Sequence, residues 1–424
     1  MKILLIGSGG REHSLADKLK NNKQVELYAT PGNPGIFELA IDAKIDASNF
    51  EEVANFCKDK NIDFVVVGPE KPLSEGITDF LESKAIPVFG PSKLAAEIES
   101  SKAFAKNLMK ANNIPTASYA IFSKDEKHQA IDYINQLERN VVIKADGLAA
   151  GKGVIVTNSK EEATQALVEI YSGAFGDAGD KVVIEEFLEG EEASIFILTD
   201  GVQYTLLPAA QDHKRILDGD KGKNTGGMGA YAPAPLITEE LKAQIIEQIV
   251  EPTLQAMNAS GRKFKGCLYA GLMITKHGPK VIEFNCRFGD PETQAVLQLI
   301  EGDFAGLLHS IAKGKIEKNL ISIKNNISAS CVVLASSGYP DKFEKGFEIT
   351  GIENITNKNI KIYHSGTSLV NGKLVTSGGR VLCVTSFAES LQDSLDLNYK
   401  AIEKINFQGK YFRKDIGYKA LKQN

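Results

Sequence analysis

The alternation of short apolar runs with helix-like segments in the first hundred residues constrains the fold of this chain more than any other feature. Residues 3–6, 25–29 and 64–67 are apolar runs of strand length, and residues 12–20 and 74–84 have helical patterns. Short buried strands that alternate with helices indicate a parallel sheet with helices on both faces. We therefore predict an α/β fold, a doubly wound parallel sheet, for the N-terminal part.

Ligands of such sheets bind beyond the carboxyl ends of the strands. Here those ends are the loops at residues 7–11, 31–35 and 68–70. The segment GSGGRE at residues 7–12 follows a strand and opens a helix, as a dinucleotide-binding fingerprint does. Its sixth position is Glu12 instead of glycine, and this charge near a pyrophosphate argues against a nicotinamide site. Two interpretations of this segment are left: a phosphate site at the helix N-terminus, or a plain tight turn.

Composition excludes several classes of protein. Apolar residues make up 43% of the chain and charged residues 24%, as in a globular protein. With a net charge of −5, the chain lacks the excess of basic residues that is typical of a nucleic-acid binder. The five cysteines form no CxxC motif, which favours reduced thiols over disulfides or a zinc site. Because the chain contains no apolar run of about 18 residues, we expect no membrane span and a cytoplasmic protein.

The central part places strands around a glycine-rich loop. We predict one helix over residues 93–112, then strands at 141–144 and 154–157 that enclose DGLAAGKG at residues 146–153. A Walker A loop is excluded because only three residues separate the glycines, Gly153 replaces Ser or Thr, and a strand follows. A mobile hairpin that folds over phosphates, preceded by Lys144, fits better. A solvated lysine at the strand end is the alternative.

Further candidates for chemistry lie in the acidic and alternating segments. Five carboxylates within residues 185–192 form either a solvated acidic turn or a purine site, in which backbone groups near Leu188 contact the base. Residues 280–285 alternate with period two, so Glu283 and Asn285 share one strand face. Two oxygen donors of this kind suit Mg²⁺. Arg287 follows them, and a metal beside an arginine suits a phosphoryl group in transfer.

Residues 208–235 are rich in glycine, aspartate, lysine and proline, so we predict a long loop there. Loops of this length inside compact domains are usually functional or disordered. Beyond residue 319 the pattern changes to strands and hairpins, including a single strand over residues 369–375, and a helix at 391–405 closes the chain. These elements predict a C-terminal α+β domain.

In this order the segments resemble the ATP-grasp ligases and, more closely, the phosphoribosylamine–glycine ligase family. The segment EFNCRFGDPE at residues 283–292 is the most specific match. The other matching segments are GSGGREH at 7–13, GPE at 68–70, KADGLAAGKG at 144–153, the acidic segment at 185–192, DHK at 212–214, NTGGMG at 224–229 and FRKDIG at 412–417. The matches extend over nearly the whole chain.

The resemblance implies a multidomain α/β and α+β protein. Its parts are an N-terminal domain at residues 1–100, an ATP-grasp domain at 101–320 with a small mobile lid at about 120–190, and a C-terminal domain at 321–424. It implies ATP and Mg²⁺ as cofactors, with Mn²⁺ as a substitute for Mg²⁺. The strand before Glu283, residues 268–272, carries no carboxylate, so water is expected to replace a third protein ligand of the metal.

The resemblance also implies roles for individual residues. The residues expected to contact ATP are Lys102 and Lys144 at the phosphates, Gly151 and Gly153 in the loop, Glu185 and Leu188 at adenine, Glu192 at the ribose, and Asn285. The expected metal ligands are Glu283 and Asn285, and the expected catalytic residues are Arg287, Lys144 and Asp290. The expected substrate contacts are Gly9, Gly10, Asn33, Glu70, Asp212, Lys214, Gly227 and Arg287.

The implied reaction belongs to purine biosynthesis and joins the carboxylate of glycine to the amine of 5-phosphoribosylamine. ATP converts the carboxylate into a glycyl phosphate, ADP leaves, and the amine then displaces phosphate. The alternatives are a biotin-carboxylase-like enzyme that acts on bicarbonate, a nucleotide-binding sensor and a nicotinamide oxidoreductase. The RFGDPE and NTGGMG segments favour the ligase. We expect a monomer that binds small molecules and neither nucleic acid nor membranes.

Overall fold

A computed structural model describes residues 1–137, 140–148, 153–174 and 176–422 of the chain. The N-terminal part is a five-stranded parallel sheet in the order β3-β2-β1-β4-β5. Its strands are β1 (Lys2–Gly7), β2 (Glu26–Pro31), β3 (Ile41–Asp42), β4 (Phe64–Val67) and β5 (Val88–Phe89). Its helices are α1 (Gly10–Lys20), α2 (Phe50–Lys60), α3 (Glu70–Glu75) and α4 (Ile77–Ser83).

Alternate residues of β1 point into two different cores. Ile3 and Leu5 pack in one hydrophobic core, whereas Leu4 and Ile6 pack in another. Both faces of the sheet are therefore covered, which explains why its strands are apolar without a polar alternation. The predicted doubly wound parallel sheet is confirmed.

The central part contains two antiparallel sheets. A small sheet in the order β6-β9-β7-β8 has its own core against helices α7 and α8, and a larger sheet has the order β11-β10-β16-β17. The helices of the central part are α5 (Lys93–Ser100), α6 (Lys102–Ala111), α7 (Lys127–Gln136), α8 (Lys160–Glu169), α9 (Glu239–Ile245) and α10 (Glu251–Ala259). Its strands are β6 (Tyr119–Ser123), β7 (Val141–Ala145), β8 (Val154–Val156), β9 (Lys181–Glu186), β10 (Glu191–Thr199), β11 (Tyr204–Leu206), β12 (Gln211–Asp212), β13 (Arg215–Leu217), β14 (Lys221–Asn224), β15 (Gly229–Ala232), β16 (Gly266–Thr275) and β17 (Gly278–Asn285).

The single helix predicted over residues 93–112 is wrong, because the chain breaks at Ser101. This residue is extended, with φ −132° and ψ 107°, and its hydroxyl caps α6 by accepting the N–H of Phe104 at 3.1 Å. The carboxylate of Asp146 accepts the N–H of Ala103 at 2.6 Å and the Ser101 hydroxyl at 3.1 Å. The helix break therefore attaches the start of the glycine-rich loop to the N-terminus of α6.

The loop predicted over residues 208–235 is also wrong in part, because short strands lie within it. Strands β13 and β14 form a hairpin, and β12 pairs with β15. Strand β15 in turn pairs with a strand of the C-terminal sheet, Gly229 opposite Val332. Strand pairs between segments about 100 residues apart leave no periodic signal in a segment this rich in glycine and lysine.

The C-terminal part is an antiparallel sheet in the order β12-β15-β20-β24-β21, with β25 paired to β20 and helix α13 packed against it. The remaining helices are α11 (Glu292–Val296), α12 (Phe304–Ala312), α13 (Leu391–Ile402) and α14 (Tyr418–Lys422). The remaining strands are β18 (Ile300–Gly302), β19 (Ile321–Ile323), β20 (Ser328–Ser336), β21 (Ile360–His364), β22 (Thr367–Val370), β23 (Lys373–Thr376), β24 (Arg380–Ala388) and β25 (Lys410–Tyr411).

The single strand predicted over residues 369–375 is instead the hairpin β22–β23. Asn371 and Gly372 at its turn both have positive φ, 51° and 77°. An Asn-Gly pair with this backbone makes the tightest common hairpin turn. No helix in the described ranges is long and apolar enough to cross a membrane.

Candidate active site

A cleft of about 770 Å³ lies where the three parts of the chain meet. The carboxyl ends of β1 and β4, the start of α6, strand β7 and the end of β17 all contribute to it. The predicted site residues that line it are Gly9, Glu70, Lys102, Lys144, Gly153, Glu185, Asp212, Lys214, Glu283, Asn285, Arg287 and Asp290. Residues up to about 280 positions apart in sequence therefore share one cleft.

Five predicted residues are not among those that line this cleft: Gly10, Asn33, Leu188, Glu192 and Gly227. The side chain of Asn33 is committed to backbone, since its amide donates to the carbonyls of Ser8 and His364, both at 2.8 Å. Gly227 has a φ of +105°, and a Cβ there would lie 2.3 Å from the ring of Pro291. Gly151 lies outside the described residues.

Two lysines enclose the carboxylate of Glu185. Its oxygens lie 2.8 Å from the ammonium groups of Lys106 and Lys144, and all three side chains are buried. Lys144 also donates to the carbonyl of Ile282 at 3.0 Å, which joins the small sheet to β17. Burial lowers the pKa of Lys106 to about 8, although Glu185 opposes this effect. One carboxylate facing two lysines leaves the group with an excess positive charge directed at the cleft.

Glu283 and Asn285 lie on the same face of β17, as the alternation predicted, and both line the cleft. Gly271 pairs with Glu283 on the neighbouring strand, and a Cβ there would lie 3.3 Å from Glu283 Cγ. Burial opposes ionisation of Glu283, but the nearby cations outweigh it and lower its pKa; they are Lys214, Lys144, Lys102 and Arg287. Glu283 is therefore ionised.

An ionised carboxylate and an amide oxygen on one face are the donor types that Mg²⁺ prefers. These two residues therefore fit a divalent cation. The described residues contain no group of three or more His, Cys, Asp or Glu side chains arranged to hold a metal. Further oxygen ligands would come from water or from phosphate groups of a bound nucleotide.

Arg287 lies between two carboxylates from different helices. Its guanidinium contacts Glu70, the first residue of α3, at 3.3 Å and Glu99 of α5 at 3.1 Å. Glu99 also accepts the backbone N–H of Cys286 at 2.7 Å. Burial raises the pKa of Glu99, and Arg287 opposes this. The two carboxylates hold the arginine at the end of β17, beside the proposed metal face.

Asp290 is paired with an arginine from the C-terminal part. Its carboxylate lies 2.8 Å from Arg380, and Gln294 donates to it at 2.8 Å. Burial opposes ionisation, but Arg380 and then Arg11 outweigh it and lower the pKa of Asp290. Arg380 also donates to the carbonyl of Gly226 at 2.5 Å, so it joins the segment NTGGMG to the segment RFGDPE.

Asp212 and Lys214 lie beside a group of carboxylates. Lys214 contacts Glu192 at 2.5 Å. Burial opposes the charge of Lys214, but Glu192, Asp212 and Glu283 outweigh it and raise its pKa well above its usual value. Burial raises the pKa of Asp212, with Lys214 acting in the opposite direction and Glu292 adding to the rise.

The side chain of Glu12 fills the glycine loop at the end of β1. It accepts the N–H of Gly9 at 2.7 Å and pairs with Arg11 at 2.5 Å. A Cβ at Gly68 would lie 2.2 Å from Glu12 Oε1, and one at Gly7 would lie 2.3 Å from Glu12 Cγ. These glycines make room for a carboxylate, in the place where a dinucleotide fingerprint would hold a pyrophosphate.

Sequence reasoning missed four residues that line the cleft or hold its groups: Glu99, Lys106, Tyr269 and Arg380. Lys106 follows Lys102 by four residues on α6, so the shared helix face was a usable signal. Tyr269 donates to Glu292 at 2.9 Å from a strand without charged residues. Glu99 and Arg380 meet their partners only through tertiary contacts, and the sequence carries no local signal for them.

Family models of three phosphoribosylglycinamide synthetase domains match the chain. The N domain matches residues 1–99, the ATP-grasp (A) domain residues 100–293 and the C domain residues 329–419. The predicted ATP-grasp fold is thereby confirmed. Of the biotin carboxylases, one from Campylobacter jejuni has a TM-score of 0.71 at 15% identity over 97% of this chain and 92% of that one, which indicates a shared fold alone.

Two relatives and one solved structure extend over the chain. It is 47% identical to a phosphoribosylamine–glycine ligase of Rhizobium meliloti strain 1021, with 99% of each chain covered. It is 48% identical to a trifunctional purine biosynthetic protein of Bos taurus, but 99% of this chain covers only 42% of that protein. A crystal structure of a phosphoribosylamine–glycine ligase from Thermotoga maritima has a TM-score of 0.85 at 33% identity, over 98% of this chain and 100% of that one. The chain therefore belongs to the phosphoribosylglycinamide synthetase family, the phosphoribosylamine–glycine ligases.

Proposed function

We propose that this chain joins glycine to 5-phosphoribosylamine at the expense of ATP, giving glycinamide ribonucleotide, ADP and phosphate. The observation that carries the proposal is the cleft in which Lys102, Lys144 and Arg287 surround the ionised Glu283. Positive groups around a metal-binding carboxylate are what phosphoryl transfer requires, because negative charge spreads over the oxygens of the transferred group. Full-length identity to ligases of this family supports the same conclusion.

In this proposal Lys102 and Lys144 contact the ATP phosphates, and Gly151 and Gly153 belong to the loop that covers them. Lys102 donates to the carbonyl of Gly147 at 3.0 Å, so it lies at the start of that loop. The adenine contacts are assigned to Glu185 and Leu188 and the ribose contact to Glu192. Because the carboxylate of Glu185 is paired with lysines, its contribution to adenine would come through its backbone.

Glu283 and Asn285 would hold the divalent cation, which we propose is Mg²⁺, with Mn²⁺ as a substitute. When bound, the cation neutralises phosphate charge. In this proposal Arg287, held by Glu70 and Glu99, stabilises the transferred phosphoryl group together with Lys144. Asp290 acts with them by holding Arg380 at the cleft.

The remaining substrate groups are assigned to residues on the N-terminal loops, on β12 and on the segment after it. Gly9, Gly10, Asn33 and Glu70 lie at the carboxyl ends of the parallel strands, where ligands of such sheets bind. We assign Asp212, Lys214 and Gly227 to the non-nucleotide substrates.

The chemistry proceeds in two steps. A glycine carboxylate oxygen attacks the γ-phosphorus, and the bond from that phosphorus to the ADP oxygen breaks. The amine of 5-phosphoribosylamine then attacks the acyl carbon, phosphate leaves, and the amine loses a proton. Holding amine and acyl phosphate together can contribute on the order of 7–11 kcal/mol to the second step.

We also propose functional domains at residues 1–100, 101–320 and 321–424, with a mobile lid at about 120–190, because the small sheet β6-β9-β7-β8 has a core of its own. We also propose that the chain acts as a monomer in the cytoplasm. The rival nicotinamide oxidoreductase is disfavoured because Glu12 occupies the glycine loop.

The test is the dependence of ADP formation on both co-substrates. The purified chain with ATP and Mg²⁺ should form ADP over many turnovers only when glycine and 5-phosphoribosylamine are both present. Ribose 5-phosphate in place of the amine, and bicarbonate in place of glycine, serve as controls. ADP formation with bicarbonate at a similar rate would indicate the carboxylase alternative.

A further inference from the structure

The hairpin β13–β14 connects two residues that line the cleft. Lys214 precedes the hairpin and Thr225 follows it, and Thr225 donates both its N–H and its hydroxyl to the Lys214 carbonyl, each at 2.8 Å. The two strands form a sheet of their own. A two-stranded hairpin is at best marginally stable alone in water, so its position depends on contacts outside it.

A buried arginine near the end of the chain supplies those contacts. Arg413 is fully buried, with 0% of its side chain exposed. Its guanidinium donates to the Arg215 carbonyl at 3.1 Å and to Asp220 at 2.8 Å, at the two ends of the hairpin. Asp415 holds the other side of the guanidinium through two bonds of 2.7 and 2.8 Å. A buried charge of this kind is stable only when it is fully paired.

Neighbours of Arg413 bind the hairpin turn in the same way. Asp415 accepts the N–H of Gly219 at 2.7 Å, and Tyr418 donates to Asp220 at 2.9 Å. Tyr411 donates to the Ile216 carbonyl at 2.7 Å. We call residues 411–419 the C-terminal clamp. It binds strand β13 and the turn of the hairpin.

The clamp also binds the segment that carries Asp212 and Lys214. His213 lies between these two residues but is buried, and its Nε2 accepts the N–H of Gly417 at 3.3 Å. The ring of Tyr418 lies 5.9 Å from the His213 ring. Burial, with Arg413 as the next cause, lowers the pKa of His213 to about 3, so the ring stays neutral and can accept this hydrogen bond. The clamp therefore fixes the chain on both sides of Lys214.

We propose that the C-terminal clamp, through Arg413, is a positioning element that holds Asp212 and Lys214 in the cleft. This role rests on the proposed function, in which Asp212 and Lys214 contact the non-nucleotide substrates. It accounts for the segment FRKDIG, which lies outside the cleft and which the reaction itself does not use.

The test compares two variants of the clamp contact in the full-length chain. Arg413→Lys keeps the charge but loses the bidentate hydrogen bonds of the guanidinium. Asp220→Asn removes the partner charge on the hairpin. Since misplacing reacting groups by about 1 Å can cost about 100-fold, we expect each variant to lower kcat/KM for glycine or phosphoribosylamine by about tenfold. ATP affinity, measured by calorimetry, should change far less. The double variant should lose less than the product of the single losses, because both changes break the contact between Arg413 and Asp220.

A matched control is available in the same hairpin. Lys223 pairs with Asp341 at 2.8 Å, but both side chains are exposed, 68% and 62%. Lys223→Ala should leave the kinetics unchanged. Amide hydrogen exchange should accelerate in residues 213–225 of the clamp variants and stay unchanged elsewhere.

Three outcomes would overturn the proposal. The first is unchanged kcat/KM in both variants; the second is a multiplicative loss in the double variant. The third is exchange that accelerates throughout the C-terminal part while ATP affinity falls equally, since that would indicate structural support alone. If Arg413→Lys does not fold, Asp220→Asn, whose side chain is 28% exposed, decides. A wild-type chain without glycine-dependent ADP formation would instead contradict the proposed function.

Discussion

Charge balance decides what individual residues in this cleft can do. Glu283 has Lys102, Lys144, Lys214 and Arg287 around it, and the cations outweigh the effect of burial on its pKa. A carboxylate of this kind stays ionised without a metal. The surplus positive charge around it is available to a second anion, which in the proposed function is the polyphosphate of ATP.

Glu283→Gln should lower turnover far more than it lowers stability. The amide keeps the shape and one oxygen but removes the negative charge that a cation needs. We expect kcat to fall by at least about tenfold and the Mg²⁺ concentration for half-maximal rate to rise, following the usual effect of disturbed metal ligation. Glu247→Gln, at an exposed position, is the control. An unchanged kcat at limiting Mg²⁺ would show that Glu283 is not a metal ligand.

Lys144→Met keeps the length of the side chain and removes its charge. Glu185 then retains only Lys106, at 2.8 Å, and the charge that the pair of lysines directs at the cleft is lost. We expect weaker ATP binding and a kcat lower by on the order of 100-fold, because the lost cation stabilises charge in the transition state. Lys181→Met, at an exposed position on β9, should change neither. Equal kinetics for both variants would make Lys144 a structural residue.

At the scale of elements, histidines join the C-terminal part to the rest of the chain. His13 of α1 accepts the N–H of His364 of β21 on its Nδ1 at 2.8 Å, and the rings lie 5.5 Å apart. His213 makes the corresponding bond to Gly417 at 3.3 Å. Burial, aided at His13 by neighbouring positive charge, lowers the pKa of His13 to about 3, and burial lowers that of His364 to about 4. Both interfaces therefore require neutral rings.

Stability should consequently fall in mild acid. An unfolded histidine has a pKa of about 6.5, so between pH 6.5 and about 4 the unfolded chain binds more protons than the native one. The stabilisation is complete above pH 6.5 and is lost as the pH falls through this window. Each histidine adds a slope of up to about 1.4 kcal/mol per pH unit. Thermal midpoints at pH 7, 6 and 5 measure it.

The variant that tests this acid dependence is His13→Asn. Its amide oxygen can accept the N–H of His364 and does not titrate. It should have a shallower loss of thermal midpoint between pH 7 and 5 than the wild type. His277→Gln, at an exposed position, should retain the wild-type slope. Equal slopes in all three proteins would contradict the prediction.

Local pattern was sufficient to predict some elements and insufficient for others. The strands around Ile3 and Phe64 follow from unbroken apolar runs, and the shared face of Glu283 and Asn285 follows from the period-two alternation. The break at Ser101 was missed because its cause, Asp146, lies 45 residues away. Strand β15 was missed for the same reason, since its partner, Ser328–Ser336, lies in the C-terminal part.

At the scale of the whole molecule, the cleft needs all three parts of the chain. Glu70 comes from the N-terminal part, Lys144 and Glu283 from the central part, and Arg380 from the C-terminal sheet. Sequence motifs predicted the first three, because each lies next to a strand end or in an alternating strand. Arg380 reaches Asp290 across 90 residues, and only the assembled fold brings the two together.

In the proposed function, the cations of the assembled cleft contact the phosphate end of ATP, and this predicts which bond breaks. Glu283, Lys102 and Lys144 lie together, so transfer should occur at the γ-phosphorus, with ADP and phosphate as products. If glycine carboxylate is the nucleophile, one of its oxygens bridges to that phosphorus. When the amine displaces phosphate, the C–O bond breaks and this oxygen leaves with the phosphate.

Glycine labelled with ¹⁸O in both carboxylate oxygens should therefore deliver one labelled oxygen to each phosphate released, and the other should remain in the amide of the product. An adenylate route would instead place the label in AMP, with pyrophosphate as the second product. A path without carboxylate activation would leave phosphate unlabelled. Mass spectrometry of phosphate and nucleotides separates the three paths, and ATP hydrolysis without glycine corrects for background phosphate. Unlabelled phosphate in the complete reaction, or labelled AMP, would contradict the acyl-phosphate mechanism, because the geometry of the cleft would then be acting on a different bond.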